Sequence, residues 1–204
     1  MTQVSDAPLD ALVFDLGNVI IRHDNEVLHQ RLVSRCTAPD AAERMNRIAH
    51  ERRYGTGELT TADLHRRLMD ELGYAGDWPT FAEDWCCHLS LDPDMLAFVE
   101  QLAGQHRVLI FSNTNAEHWN RAMALSEGRL AAFEPYLSHE IGDLKPAVSS
   151  FNIVAERAGL DPARCLFFDD IAANVAAARR AGFQAEVFTT RAALEQMLRE
   201  AGAI

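Results

Sequence analysis

The sequence predicts an α/β protein: a Rossmann-like, doubly wound parallel sheet with a helical cap inserted after its first strand. Three observations carry that prediction. Short apolar runs that break off into polar residues recur at Ala11–Leu16, Arg107–Ser112 and Cys165–Phe168, as strands buried on both faces of a parallel sheet do. After residue 90 helical patterns alternate with these runs, and strand, helix, strand repeated in this way implies parallel pairing through right-handed crossovers. The stretch from Asn25 to Leu89 breaks the rhythm, being helical in pattern with no strand signal of its own, so it reads as an insertion. Residues 1–24 and 90–204 are thereby assigned to the core and residues 25–89 to the cap.

Taken in order, Ala11–Leu16 is the first strand and runs into the turn residues Gly17 and Asn18. Helical patterns follow at Glu26–Arg35, Ala41–Arg52, Thr61–Leu72 and Thr80–His88, giving a four-helix cap. The segment from Tyr54 to Thr61, with Gly55 and Gly57, is its one clear break, and Thr60 or Thr61 is the next N-cap. Arg52, Arg53 and Tyr54 precede that break as a candidate specificity loop. Trp78 and Trp85 can stack on a sugar ring, although packing between cap and core suits them better. Asp92-Pro93 and Asp161-Pro162 each place an acidic N-cap before a proline at the first helical position. Gly104 and Gly182 suit C-terminal caps. His118 and Trp119 fall on a helix after the second core strand, at the rim of any pocket there. Tyr136–Ile141 is a weaker strand candidate of mixed polarity, suited to an edge, and Ala185–Thr189 is the last strand.

A chain of 204 residues is long enough for one well-buried core plus a smaller appended element. Hydrophobic residues at 48% and charged residues at 24% fit a soluble globular protein, and a formal charge of −11 argues against a nucleic-acid partner. No apolar run approaches membrane-spanning length, so no membrane partner is expected. Met1–Asp10 lacks a basic region followed by an apolar stretch and is not expected to be a signal peptide. Cys36, Cys86, Cys87 and Cys165 have no CxxC spacing and read as small core residues in a reducing compartment, with the cytoplasm as the expected location.

An open parallel sheet delivers side chains to its carboxyl edge, so the residues ending each apolar run are the candidate site. Asp15 ends the first run, where its carboxylate is partly desolvated. Such an Asp can be a covalent nucleophile if a cation suppresses repulsion from an anionic substrate. Gly17 permits backbone geometry closed to other residues and leaves a carbonyl free to face a metal. Ser112 can donate its hydroxyl to a phosphoryl oxygen, and Asn113 with the following backbone N–H groups can add to an anion nest. Lys145, held before Pro146, brings positive charge to an acidic chain. Asp169 and Asp170 are adjacent acids that repel at a sheet edge unless a cation is bound, and oxygen-only ligands favour Mg²⁺. Asn174, one helical turn past Asp170, can tie that loop by hydrogen bonding. Singly, each residue has a plainer role: Asp15 as a turn cap, Ser112 in a common turn composition, Lys145 as a solvated surface group. Their order along one sheet edge points to metal-assisted attack on a phosphoryl group.

In that order the segments Asp15–Val19, Ser112–Asn115, Asp143–Pro146 and Phe167–Asp170 resemble the four motifs of the haloacid dehalogenase (HAD) superfamily of phosphohydrolases, across nearly the whole chain. They are most similar to the bacterial sugar-phosphate phosphatases related to α-D-glucose-1-phosphate phosphatase, and to the N-terminal phosphatase domain of soluble epoxide hydrolase. The resemblance implies Asp15 as nucleophile, Ser112 as the second motif, Lys145 as the third, and Asp169 and Asp170 with Asn174 as the fourth. It also implies Mg²⁺ held by Asp15, the Gly17 carbonyl and Asp170, and a small phosphorylated metabolite as substrate, with sugar phosphates as candidates. One position departs from the pattern: most phosphatases of the superfamily carry a second Asp, the general acid and base, where this chain has Gly17. Asp24 and His23 are the nearest replacements, and Asp24 is preferred, though it also suits a helix N-cap. The same departure keeps open a 2-haloacid dehalogenase, which uses an Asp nucleophile without the second Asp and without metal, but gains nothing from the acids at Asp169 and Asp170. A non-catalytic binding protein on the same fold is the third reading.

Overall fold

A computed structural model describes residues 9–204 of the chain, so the segment Met1–Asp10 lies outside the described residues except for its last two positions. In chain order the elements are β1 (Ala11–Phe14), β2 (Ile21–His23), α1 (Asn25–Val33), α2 (Ala41–Ala49), α3 (Arg52–Gly55), α4 (Thr61–Leu72), α5 (Trp78–Cys86), β3 (Leu89–Leu91), α6 (Pro93–Ala103), β4 (Val108–Ser112), α7 (Ala116–Leu125), β5 (Glu134–Leu137), α8 (Ser138–Ile141), α9 (Val148–Ala158), β6 (Cys165–Asp169), α10 (Ala172–Arg180), β7 (Gln184–Val187) and α11 (Arg191–Glu200). The main sheet has the order β5-β4-β1-β6-β7 and is parallel throughout. This is the doubly wound α/β architecture the sequence predicts.

Side-chain alternation along the central strands explains both layers. Leu12, Phe14, Val108, Ile110, Leu166 and Phe168 face one side, under α6 and α11. Ala11, Val13, Leu109, Phe111, Cys165 and Phe167 face the other, under α9 and α10. Both faces are buried, so each strand is a continuous apolar run in the sequence. Phe14 stacks on Phe168 at 5.3 Å between ring centroids, and Phe111, Phe151 and Phe167 meet edge-on or tilted on the opposite face. Phe14 is level with Ile110 on one side and with Phe168 on the other. The residues that follow, Asp15 and Asp169, therefore emerge side by side between β1 and β6, where the strand order reverses. An open α/β sheet forms its crevice at such a point.

The helices between β2 and β3 pack around their own apolar cluster, which includes Leu32, Met45, Ile48, Leu64, Leu68 and Phe81. α4 starts with a capping box between Thr60 and Asp63. Five helices are present there rather than the expected four, because α3 forms across Arg52–Gly55 at the head of the predicted break. Trp85 is buried at 5% exposure while Trp78 remains 39% exposed.

Other departures from the sequence reading are local. β2 and β3 form an antiparallel ribbon with His23 opposite Leu89, a strand pair the sequence did not reveal. Asp92 caps α6 through the Met95 N–H, but Asp161 caps only a 3-10 turn, Pro162–Arg164. β5 ends at Leu137, and Ser138–Ile141 coils into α8 instead of continuing the strand. Gly104 caps α6 in a right-handed conformation, whereas Gly182 has φ +94° just beyond α10. Among the described residues no helix is long and apolar enough to cross a membrane.

Candidate active site

Asp15, Ser112, Lys145 and Asp169 are all buried at the carboxyl edge of the sheet. Lys145 is the hub. Its Nζ lies 2.9 Å from Asp15 Oδ1 and 2.6 Å from Asp169 Oδ2, and it donates to the Phe111 carbonyl at 2.8 Å. All three ammonium donors are thus engaged. The ammonium also stands over the Phe111 and Phe167 rings, 5.1 and 5.3 Å from their centroids.

Asp169 is fully enclosed. Asn174 Nδ2 donates to both of its oxygens at 3.0 Å, and the Ile171 N–H donates to Oδ1 at 2.8 Å. Asp170 is half-buried, lines the cavity, and accepts from Asn18 Nδ2 at 3.1 Å. Asp15, Asp169 and Asp170 each present an oxygen within 4.8 Å of the others. Burial pushes the Asp15 carboxyl up to about 6; Lys145 opposes that rise and Asp169 adds to it.

The loop bearing Lys145 is fixed by Asn113, whose side chain bonds the Lys145 backbone twice. Asn113 Nδ2 donates to the Lys145 carbonyl at 2.8 Å, and the Lys145 N–H donates to Asn113 Oδ1 at 2.9 Å. Asn113 lines the cavity, as the sequence suggested, and its amide also positions Lys145. A second tie comes from the helical insertion: Arg52 Nη2 lies 2.7 Å from Asp143 Oδ1, and Ser149 Oγ donates to Asp143 Oδ2 at 2.5 Å.

Asp24 and His23 separate clearly. Asp24 is exposed and caps α1, its Oδ1 accepting from the Glu26 and Val27 N–H groups at 3.0 and 3.2 Å. It is absent from the cavity wall, which His23 joins. A Cβ on Gly17 would stand 3.1 Å from His23 Nε2 and 3.9 Å from Asp15 Oδ2. The imidazole thus borders the space that a side chain at position 17 would enter.

Asn18 is the residue the sequence reading missed. Its backbone is left-handed, with φ +52°, which asparagine tolerates. Its side chain joins Asp170 to the His23 N–H, the latter at 3.3 Å from Asn18 Oδ1. The only sequence signal was the Gly17-Asn18 dipeptide, a turn marker.

These groups open into a cavity of about 340 Å³, within the usual range for small-molecule sites. Its wall also holds Trp85, His88 and His118. Trp85 and His118 stack at 4.9 Å, His88 meets His118 edge-on at 5.1 Å, and His118 Nε2 is 3.0 Å from the Trp85 carbonyl. Burial, reinforced by neighbouring imidazoles, holds His88 down at about 4 and His118 at about 3. Arg52 and Tyr54 line the cavity; Arg53 turns away to Glu51, and Trp119 packs on the core instead.

A family model described as haloacid dehalogenase-like hydrolase matches residues 9–182. The chain is 25% identical over 183 residues to a D-ribitol-5-phosphate phosphatase from Bacteroides thetaiotaomicron, covering 85% of this chain and 88% of that protein. In structure it resembles a HAD-like hydrolase from Porphyromonas gingivalis, with a TM-score of 0.82 and 23% identity over 95% of this chain and 99% of the other. It also resembles a HAD family enzyme from B. thetaiotaomicron solved with magnesium and inorganic phosphate, with a TM-score of 0.78 and 22% identity over 90% and 96% of the two chains. The two structural likenesses concern the fold.

Proposed function

Because the chain belongs to the haloacid dehalogenase-like hydrolases, we propose that it is a Mg²⁺-dependent phosphatase of small phosphorylated metabolites, acting through an aspartyl-phosphate. The observation that carries this reading is the carboxylate trio around Lys145. Three carboxylates against one ammonium leave two negative charges uncompensated, and the donors are hard oxygens. That set suits a divalent cation such as Mg²⁺ and gives a metal-free dehalogenase no advantage. Asp15, Asp170 and the Gly17 carbonyl would hold the ion, which would supply charge neutralisation at the phosphoryl oxygens. Asp169, saturated by Lys145, Asn174 and the Ile171 N–H, orients rather than binds. The B. thetaiotaomicron relative, named as a ribitol-phosphate phosphatase, supports the same chemistry.

Asp15 attacks phosphorus in line, and the bond from phosphorus to the leaving oxygen breaks. Ser112 donates to a transferring oxygen, and Lys145 holds Asp15 in place and offsets the charge that builds up. Water then attacks the phosphorus of the aspartyl-phosphate, releasing inorganic phosphate and free Asp15. The helices from α1 to α5 form a cap over this edge, excluding water and selecting the substrate. Four free cysteines support a reducing compartment such as the cytoplasm.

Proton transfer to the leaving oxygen falls to His23 rather than Asp24, since Asp24 is committed to capping α1. His23→Ala is expected to slow poor leaving groups by about 10²-fold or more while sparing good ones. Asp24→Ala should lower stability by about 1 kcal/mol and leave that dependence intact. A leaving-group series on the two variants decides; equal losses across the series for His23→Ala would remove it from this role.

The function itself is tested by inorganic phosphate release from p-nitrophenyl phosphate and acetyl phosphate, with Mg²⁺ and with EDTA. Release that requires Mg²⁺ is expected. Absence of phosphate release together with halide release from 2-chloropropionate would overturn the phosphatase reading.

A further inference from the structure

The three carboxylates of the site are held very unequally. Asp169 is locked by Lys145, by Asn174 at both oxygens and by the Ile171 N–H. Asp15 has Lys145 and the Leu16 N–H, which donates to its Oδ1 at 2.7 Å. Asp170, half-buried, has a single hydrogen-bond partner among the described residues, the Asn18 amide. The other end of that amide is also engaged, with Oδ1 accepting from the His23 N–H. Where the His23 imidazole stands beside Gly17 depends on where this backbone lies. At its φ of +52° a glycine would carry no strain, so what asparagine adds is its side chain, and both ends of the amide are spent on the site. Asn18 is exposed and not part of the cavity wall, so it reaches a substrate only through Asp170 and His23.

We infer that Asn18 is a positioning residue, one amide that holds the cation ligand Asp170 and the proton donor His23 in a common register. The inference rests on the phosphatase reading above and deepens it at that site. A ligating carboxylate that is free to turn must be ordered when the ion binds, and that ordering lowers affinity. Proton transfer is as sensitive to placement, since an imidazole out of line by about 1 Å loses much of its advantage. Because a single side chain serves both groups, its removal weakens cation binding and proton transfer together.

Asn18→Gly tests this, because it deletes the amide and keeps the left-handed backbone. Calorimetric titration of the protein with Mg²⁺, in the absence of substrate, is expected to show a dissociation constant raised about tenfold or more. At Mg²⁺ saturating for each protein, kcat for p-nitrophenyl phosphate relative to phenyl phosphate is expected to rise by about tenfold, since the poorer leaving group needs the proton more. Denaturant unfolding in EDTA is expected to stay close to wild type, the lost side chain being exposed. An unchanged Mg²⁺ affinity, an unmoved leaving-group ratio, or a clear loss of stability in EDTA overturns the inference while the phosphatase reading stands. Wild-type protein that takes up no Mg²⁺ and releases no phosphate from p-nitrophenyl phosphate overturns that reading itself, and the inference with it.

Discussion

Asp15→Asn is expected to lower phosphate release by about 10⁴-fold or more, because Asp169 is enclosed by Lys145 and Asn174 and the remaining acid of the trio, Asp170, is given to the cation in this reading. The fold should not suffer with it. Burial raises the Asp15 carboxyl from its ordinary 3.8 to about 6, so its ionised form is disfavoured in the folded chain. The resulting cost to stability is absent below about pH 3.8, grows as pH rises between those values, and is complete above about pH 6. In metal-free protein at pH 8 the neutral Asn should therefore leave stability unchanged or raise it by up to about 3 kcal/mol. Denaturant unfolding of wild type and variant in EDTA measures the difference. Residual turnover within tenfold of wild type would remove Asp15 from the nucleophile's role, and a clear loss of stability at pH 8 would mean the carboxylate is structural.

Lys145→Met is expected to have the largest effect on stability, a loss of about 3–5 kcal/mol at neutral pH. The substitution keeps the length of the side chain but leaves the fully buried Asp169 without a counter-charge and removes the partner of Asp15. Lys145 holds the Asp15 carboxyl down, so in the variant Asp15 takes up its proton at higher pH and the deficit should shrink as pH falls towards about 6. Addition of Mg²⁺ should recover part of it, since a cation would again face the carboxylates. A deficit under about 1 kcal/mol in metal-free protein at pH 7 would show that the buried ion pairs balance their own desolvation.

The first of these predictions depends on a residue whose place at the sheet edge was legible in the sequence for a simple reason. A strand buried on both faces leaves an unbroken apolar run, so the first polar residue after it marks the carboxyl edge. Asp15, Ser112 and Asp169 stand at three such ends. Lys145 was placed only by resemblance and charge, because the loop carrying it follows the short α8 rather than a strand. What escaped was of two kinds. The ribbon of β2 and β3 has three residues in each strand, too few for a two-residue period to stand out. The hydrogen bonds of Asn113 to the Lys145 backbone, and of Asn18 to Asp170, join positions far apart in the chain, and composition carries no trace of them. The choice between Asp24 and His23 belonged to the second kind. An acid before an apolar helix serves equally as cap or catalyst until its carboxylate is seen accepting from Glu26 and Val27.

The covalent step at Asp15 is the centre of the account, and trapping tests it most directly. Enzyme turning over acetyl phosphate with Mg²⁺ is quenched rapidly and reduced with borotritide, which converts an aspartyl-phosphate to labelled homoserine. The account predicts tritium in the peptide that carries Asp15, dependent on Mg²⁺ and absent from Asp15→Asn. Phosphate released in a burst while that peptide stays unlabelled would contradict it.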